Sequence, residues 1–404
     1  MRKRVSKRAS VVRPSGRDRA AAGIDPARYN VQVAVYSPSH LYCNRRFPLS
    51  ARTAHDLAQL LPPGTPCITE GYGTAGRLFF LELAHHSIPC KELNPQLGRH
   101  LRFIQQEAHT DQGDALAAAK AEFYWPERLA PICLAEDREA LATLVKTRRR
   151  LVKGNTANKN RLHKVLSESY GALYKTLQTR IDINTHKGRR FFTQFPSINA
   201  LLTGPDGKAE LDRFFPGKAT SLIASEHPWS SPRMVEALEA EGRLLLTHIE
   251  TTEKVTHDLQ KKITTLLSSH HEAPWLLSIP GVGVVSAATL LAEVKTIDRF
   301  PTEAKFAGYC GLGQLLFHSG DGVPYFTKRT LYNRTLRSVF FDIAFAALSR
   351  NDQARSYYTK KRKEGKTHRQ ALLRLARYYA RLVYAVLTKH QTYAALMEEK
   401  TRSS

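Results

Sequence analysis

Four carboxylates in the first part of the chain, Asp25, Glu70, Asp111 and Asp114, are the side chains best suited to chemistry. Asp25 lies in GIDPARYNVQVAVYS, where Val31, Val33 and Val35 alternate with polar or small residues, as in a strand. Glu70 closes a second apolar run, PCITE, and Gly71-Tyr72-Gly73 follows at once as a turn. Asp111 and Asp114 stand in HTDQGDALAAAKAEF, which reads as the first turn of a helix; their i, i+3 spacing puts both on one face. Acids at strand ends and at a helix start can gather into a site for a divalent metal, whose hard ligands are carboxylate oxygens. Singly, each has a simpler use: Asp25 in a turn, Glu70 as a helix cap, Asp111 or Asp114 against a helix dipole. The chain carries 61 Lys+Arg against 36 Asp+Glu, a formal net charge of +25. In that setting the four acids read as a metal nest facing a polyanion.

A second candidate stands near the other end. Ser319 sits in HSGDG, at the turn of a predicted hairpin, QLLFHSGDGVPYFTK. Such a serine commonly serves only the turn. Its surroundings suggest more: Lys328, Arg329, Arg334 and Arg337 follow closely, with Asn333 and Arg337 i, i+4 on one helix. A hydroxyl beside several cations is suited to attack a phosphodiester, and a phosphoserine ester keeps the bond energy for rejoining strands. PGVG at 280–283 reads as a helix-hairpin-helix turn in which Gly281 and Gly283 let the backbone approach a phosphate. A tight interhelical turn accounts for the same residues. As a phosphate clamp it would position nucleic acid without reading its sequence. The pairs His85-His86 and His270-His271 have no ligand partners at useful spacing and receive no role. The stretch YYTKKRKEGKTHR (357–369) reads as a solvated basic loop that touches phosphates. No P-loop or dinucleotide fingerprint is present.

Composition bounds the partners. A chain of 404 residues is long enough for two or three domains, and 42% hydrophobic residues fit a globular protein. The positive charge points to nucleic acid first and an anionic membrane second. No run of about 18 uninterrupted apolar residues exists, which argues against a membrane span. Five cysteines without a CxxC pair argue against a disulfide framework or a zinc ribbon and for a reducing, cytoplasmic setting. The first twenty residues hold eight Lys/Arg and one acid, Asp18. They read as a solvated tail that can serve as a phosphate-binding arm.

These residues need elements to position them. From 21 to 135, strands around 30–36, 42–48, 66–70 and 88–93 alternate with helices around 53–61, 74–86 and 111–124, an α/β pattern. From Asp137 a long proline-free helix follows, with Leu141, Leu144, Leu151, Leu162 and Val165 in a heptad frame broken by Arg148, Asn155 and Asn158. From Lys146 to Lys164 it has eight Lys/Arg and no acid; Arg148, Arg149, Arg150 and Lys153 are candidate nucleic-acid contacts. A second long helix, from about Pro232 to Ser269, repeats Leu238, Leu245, Leu259 and Leu266, with Ile249 and Ile263 on the other seam. The pair predicts an antiparallel coiled-coil arm over 136–270, or pairing with another subunit, with 171–231 as a turn-rich insertion. A mostly helical domain over 271–400 completes the expected α/β plus α fold.

The order of parts is recognisable. Acids at two strand ends and a following helix resemble the RNase H-like nucleases. GID, ITEGYG, HTDQGDA, an Arg-rich long helix, SIPGVG, YCGLG, HSG and an N–LR helix together resemble the IS one-ten family of insertion-sequence transposases. The resemblance covers about 21–170 and 232–393. It implies a RuvC-like domain in which Asp25, Glu70, Asp111 and Asp114 hold Mg²⁺, and Ser319 as nucleophile of the C-terminal domain. It also implies donor and target DNA, a guiding bridge RNA and a homo-oligomer as partners. Where the family usually carries Lys, Pro and a Gly-Asn pair, this chain has His109, Gln314 and Tyr332-Asn333. Two other readings stay open: a RuvC-like structure-selective nuclease using water, and a nucleic-acid-binding protein without catalysis.

Overall fold

The computed structural model describes residues 19–71, 76–104, 109–132, 134–317, 325–328 and 332–402. The chain divides into two compact units. One comprises Met1–Ala140, Pro274–Val282 and Thr289–Ser404; the other comprises Leu141–Ala273 and Gly283–Ala288.

The first unit opens with a mixed sheet. Its strands are β1 (Ala21–Pro26), β2 (Asn30–Ser37), β3 (His40–Pro48), β4 (Cys67–Thr69), β5 (Cys90–Glu92) and β6 (Ala130–Pro131), in the order β3-β2-β1-β4-β5-β6. β1, β2 and β3 form an antiparallel meander, β4 and β5 continue parallel to β1, and β6 closes antiparallel to β5. The helices are α1 (Ala51–Leu60), α2 (Arg77–His85), α3 (Pro95–Ile104) and α4 (Asp111–Tyr124). Alternation along β1 sorts them onto two faces. Ala22 and Ile24 join Val31, Val33 and Val35 in a core with Ala54 and Leu57 of α1 and Phe79, Phe80 and Leu83 of α2. Ala21 and Ile68 instead meet Leu101 of α3 and Ala117, Ala118 and Ala121 of α4.

Each expected strand and helix of this region has its counterpart, but β1, α3 and the two-residue β6 escape sequence reading. β1 is built of small residues (AAGIDP) with one β-branched side chain, so it lacks the apolar alternation that marks β2. α3 offers Leu97 and Leu101 at i, i+4, yet its Arg and His content disguises it as surface.

In the second unit, α5 (Glu136–Tyr170, from Leu141 onward) lies antiparallel to α11 (Pro232–Ser268). Arg148 bonds Gln260, Lys159 pairs with Glu253, and Arg161 pairs with Glu241, so partners descend along one helix as they ascend the other. Leu162, Val165 and Leu166 pack with Leu245, Leu246 and Ile249. Between α5 and α11 run α6 (Leu173–Leu177), α7 (His186–Gln194), α8 (Ile198–Thr203), α9 (Gly207–Phe214) and α10 (Ala219–Ile223). Their aromatic residues, Tyr174, Phe191, Phe192, Phe195 and Phe215, share that same core, so 171–231 is packed helical structure.

The C-terminal part is helical around one hairpin. α12 (Ala273–Leu277), α13 (Val284–Val294) and α14 (Glu303–Tyr309) lead into β7 (Gln314–Phe317) and β8 (Tyr325–Lys328), paired antiparallel as expected. α15 (Arg334–Arg350), α16 (Asp352–Lys363), α17 (His368–Lys389) and α18 (Tyr393–Arg402) follow. α17 is the buried member, through Leu375, Tyr379, Val383 and Val386. The basic stretch 357–369 corrects the expectation of a loop. It is helical through Lys363, turns at Gly365 and re-enters a helix through a capping box of Thr367 and Gln370. Its basic residues in the last turn of α16 complement the helix dipole, which favours helix where composition alone suggests solvated chain. Among the described residues no helix is long and apolar enough to cross a membrane. The cysteines 43, 67, 90 and 310 are buried and free, while Cys133 lies outside the described residues.

Candidate catalytic site

The glycine of GID explains how the acids meet. A methyl group on Gly23 would stand 1.7 Å from the backbone oxygen of Ala115, so only glycine lets α4 lie this close to β1. Ala115, Ala117, Ala118, Ala119 and Ala121 present small buried side chains toward the sheet for the same reason. Thr110 caps α4, its hydroxyl accepting from the Gly113 amide at 3.1 Å, which fixes Asp111 and Asp114 in the first turn. Asp25 shares the parity of Ala21 and Gly23 on β1 and belongs to the α4 face. β4 runs parallel beside β1, with Gly23 opposite Ile68, so Glu70 leaves the sheet at the same end as Asp25.

The electrostatics register this gathering. The Asp25 carboxyl is pushed up to about 6, by burial first and then by Asp111, Asp114 and Glu70, with Arg102 opposing. Basic side chains interleave with the acids. Arg102 of α3 hydrogen-bonds Glu70 Oε1 at 2.6 Å and lies 2.7 Å from Asp114 Oδ1. His109, at the position where the resembled family carries Lys, is 3.2 Å from Asp114 Oδ2. Arg46 of β3 holds Asp111 at 2.5 Å, and Gln32 orients Asn44, whose amide donates to the Gln112 carbonyl at 3.2 Å. The β2–β3 hairpin therefore steadies the start of α4.

This donor set fits a divalent cation. Asp114 Oδ1 is buried and receives no hydrogen bond despite the nearby guanidinium, and the mutual repulsion that raises Asp25 is what a cation would relieve. As placed, Arg102 stands between Glu70 and Asp114, and among the described residues no three acidic, imidazole or thiol groups close around a metal position.

The other anticipated residues are distributed as follows. Ser319 and Arg329 lie outside the described residues, as do residues 1–18 of the basic tail. Lys328 ends β8. Arg334 is exposed, whereas Arg337 donates to the Gly311 carbonyl and stacks over Tyr332 and Phe341, at 5.1 and 5.6 Å. Asn333 caps α15 and also donates to Glu293 at 2.6 Å. Gly281 has φ +96, and a methyl there would meet Ile343 O and Ala347 Cβ at 2.9 Å, so close packing on α15 accounts for that glycine. Gly283 faces open space. Arg149, Arg150 and Lys153 are exposed on α5, while Arg148 is drawn in against Gln260. Sequence reading missed Arg46, Gly98 and Arg102; the i, i+4 pairs Leu97/Leu101 and Gly98/Arg102 were the signal available. His86, given no role from sequence, hydrogen-bonds His55 at 3.2 Å.

Comparison with known proteins follows the same two segments. Residues 22–170 match a transposase family model of the DEDD IS110 type, and residues 273–359 match the model described as transposase IS116/IS110/IS902 family. The chain belongs to the IS116/IS110/IS902 family of transposases. Among relatives of this family, the insertion element IS110 uncharacterized 43.6 kDa protein of Streptomyces coelicolor is 29% identical over 72% of this chain and 73% of its own length. The transposase for insertion sequence element IS1111A of Coxiella burnetii is 24% identical over 76% of this chain and 73% of its own. The insertion element IS116 uncharacterized 44.8 kDa protein of Streptomyces clavuligerus reaches 33% identity over about a third of each. Membership in the IS116/IS110/IS902 family implies cleavage and rejoining of DNA, and its DEDD domain suggests use of a divalent metal.

Proposed function

We propose that this chain is an insertion-sequence recombinase that cuts and rejoins DNA through a phosphoserine at Ser319, with Asp25, Glu70, Asp111 and Asp114 holding Mg²⁺. The observation that carries its metal-dependent part is the convergence of the four acids from β1, the end of β4 and the first turn of α4, registered in the raised Asp25 carboxyl; the transposase family match is what favours recombination. The sheet order and these positions support an RNase H/RuvC-like domain over 21–135, followed by the arm at 136–270 with its 171–231 insertion and a C-terminal domain at 271–400. A divalent ion bound by the acids supplies Lewis-acid polarisation of a phosphate. Ser319 Oγ attacks phosphorus, a serine–phosphate bond forms, and one P–O bond of the DNA strand breaks to release a sugar hydroxyl. Attack by the hydroxyl of a second strand reverses the step, frees the serine and rejoins the backbone. The basic tail (residues 1–20), the exposed Arg149, Arg150, Lys153 and Arg334, and Lys328, Arg329 and the open backbone at Gly283 supply positioning contacts to DNA and to a guiding bridge RNA. Handling two duplexes calls for a homo-oligomer in the cytoplasm, at the nucleoid.

A structure-selective nuclease would use the same acid cluster with water as nucleophile, and the cluster alone favours neither. Trapping of protein on labelled branched or element-end DNA separates them. Recombination predicts a covalent adduct lost in Ser319→Ala, in Asp25→Asn and in EDTA. Strand exchange by Ser319→Ala would overturn the serine mechanism, and cleavage by Ser319→Ala without any adduct would establish the hydrolytic one.

A further inference from the structure

Arg102 is the most enclosed cation at the acid cluster, only 5% exposed on α3. One of its nitrogens, Nη1, lies 2.6 Å from Glu70 Oε1 and 2.7 Å from Asp114 Oδ1, between carboxylates contributed by the end of β4 and by α4. Only the first contact is an aligned hydrogen bond, since Asp114 Oδ1 remains without one. One turn earlier on the same helix, Gly98 faces the Glu70 carboxylate so closely that a methyl group would stand 1.8 Å from Oε1. α3 therefore seats Glu70 with its glycine and neutralises it with its arginine. A divalent ion held by Glu70 and Asp114 would need their oxygens as ligands at about 2.1 Å. A guanidinium nitrogen already within hydrogen-bonding distance of both oxygens fills that gap, and two cations in it would repel strongly.

We propose that Arg102 is a resident counter-cation that competes with the catalytic metal: it keeps the acid cluster assembled without metal and must leave Glu70 and Asp114 for metal to enter. This rests on the metal-dependent reading of the site. Metal loading is then coupled to a rearrangement of α3, and the metal-free site is held shut by the protein's own charge. A residue that merely oriented the acids would act in the opposite sense, since its loss would weaken metal binding.

The test is Mn²⁺ titration of the full-length chain by calorimetry, for wild type and for Arg102→Gln, with melting of each in EDTA. The expected result is Mn²⁺ binding about tenfold tighter in R102Q, a difference of about 1.4 kcal/mol, together with a lower metal-free melting temperature. Equal or weaker binding by folded R102Q overturns the competition and leaves the metal reading intact. Failure of both proteins to bind Mn²⁺ overturns both. Should R102Q not fold, hydrogen exchange of the wild type decides: amides of Pro95–Ile104 are expected to exchange faster once Mn²⁺ is added, and unchanged or slower exchange overturns the proposal.

Discussion

Gly98 of α3 lies against the carboxylate of Glu70, where a methyl group would stand 1.8 Å from Oε1 and 2.7 Å from the carboxyl carbon. The obstructed atoms are the far end of a flexible side chain, so Gly98→Ala is expected to keep its stability. Helix propensity even favours it by up to about 1 kcal/mol. Glu70 must nevertheless move, and an ångström-scale misplacement at a catalytic centre can cost about a hundredfold in rate. Gly23→Ala is the opposite case: its methyl would meet the Ala115 backbone oxygen at 1.7 Å, and a loss of about 3 kcal/mol is expected. Melting curves beside a DNA-cleavage assay separate the two variants. An active Gly98→Ala would show that the Glu70 position is not critical.

Asp25 gives the metal-free protein a pH dependence of stability. Its carboxyl titrates near 6 in the folded chain against 3.8 ordinarily, so between those values the folded state binds more protons than the unfolded. This contribution to stability is therefore largest at low pH and declines as pH rises toward 6. Asp25→Asn removes the penalty. In EDTA at pH 7 it is expected to be the more stable protein, by of order 1 kcal/mol after solvent screening, with little advantage at pH 4. Divalent ions should then raise the melting temperature of the wild type more than that of the variant. An equal advantage at both pH values would mean that charge at Asp25 is not its source.

The acids were legible because chemistry at Asp25, Glu70, Asp111 and Asp114 leaves residue types that a short strand end or helix start seldom needs together. Their basic companions were not. Arg102 and Arg148 sit in sequences dense with Arg and His, which composition assigns to solvent, yet tertiary partners draw both inward. β1 escaped because its small residues answer to the close approach of α4, a constraint that lies about ninety residues further along the chain. The two long helices, by contrast, were legible from their heptads, which left open whether they pair with each other or with another subunit; within the chain they lie antiparallel.

Glu139 offers a test of how the first unit is held together. The carboxylate is 5% exposed, with Arg77 of α2 at 3.3 Å and Lys295, just beyond α13, at 3.4 Å. Lys295 takes a left-handed backbone with φ 62, and Arg138 donates to its carbonyl. Burial, with the Arg299 charge nearby, pushes the Lys295 amine down to about 8, the direction expected of an amine in a poorly hydrated place. Glu139→Gln leaves two cations without their carboxylate, and a loss of about 3 kcal/mol is expected by denaturant unfolding. A loss below about 0.5 kcal/mol would place the group among ordinary surface ion pairs.

The polar middle of the α5–α11 pair should be removable at a gain. Asn155 is 8% exposed, and its Oδ1 accepts no hydrogen bond, while buried apolar side chains flank it on α5 at Leu162 and Val145. A buried amide left half satisfied costs stability, and a polar residue in a helix seam is commonly retained to set register. Asn155→Leu is therefore expected to raise the unfolding free energy by about 1 kcal/mol. If the polar step sets register, the stabilised variant should also lose the Lys159–Glu253 and Arg161–Glu241 pairings, which cysteine cross-linking at those positions would detect. A gain in stability with cross-linking unchanged would instead leave the apolar flanks, Leu162 against Leu245 and Ile249, as the source of register.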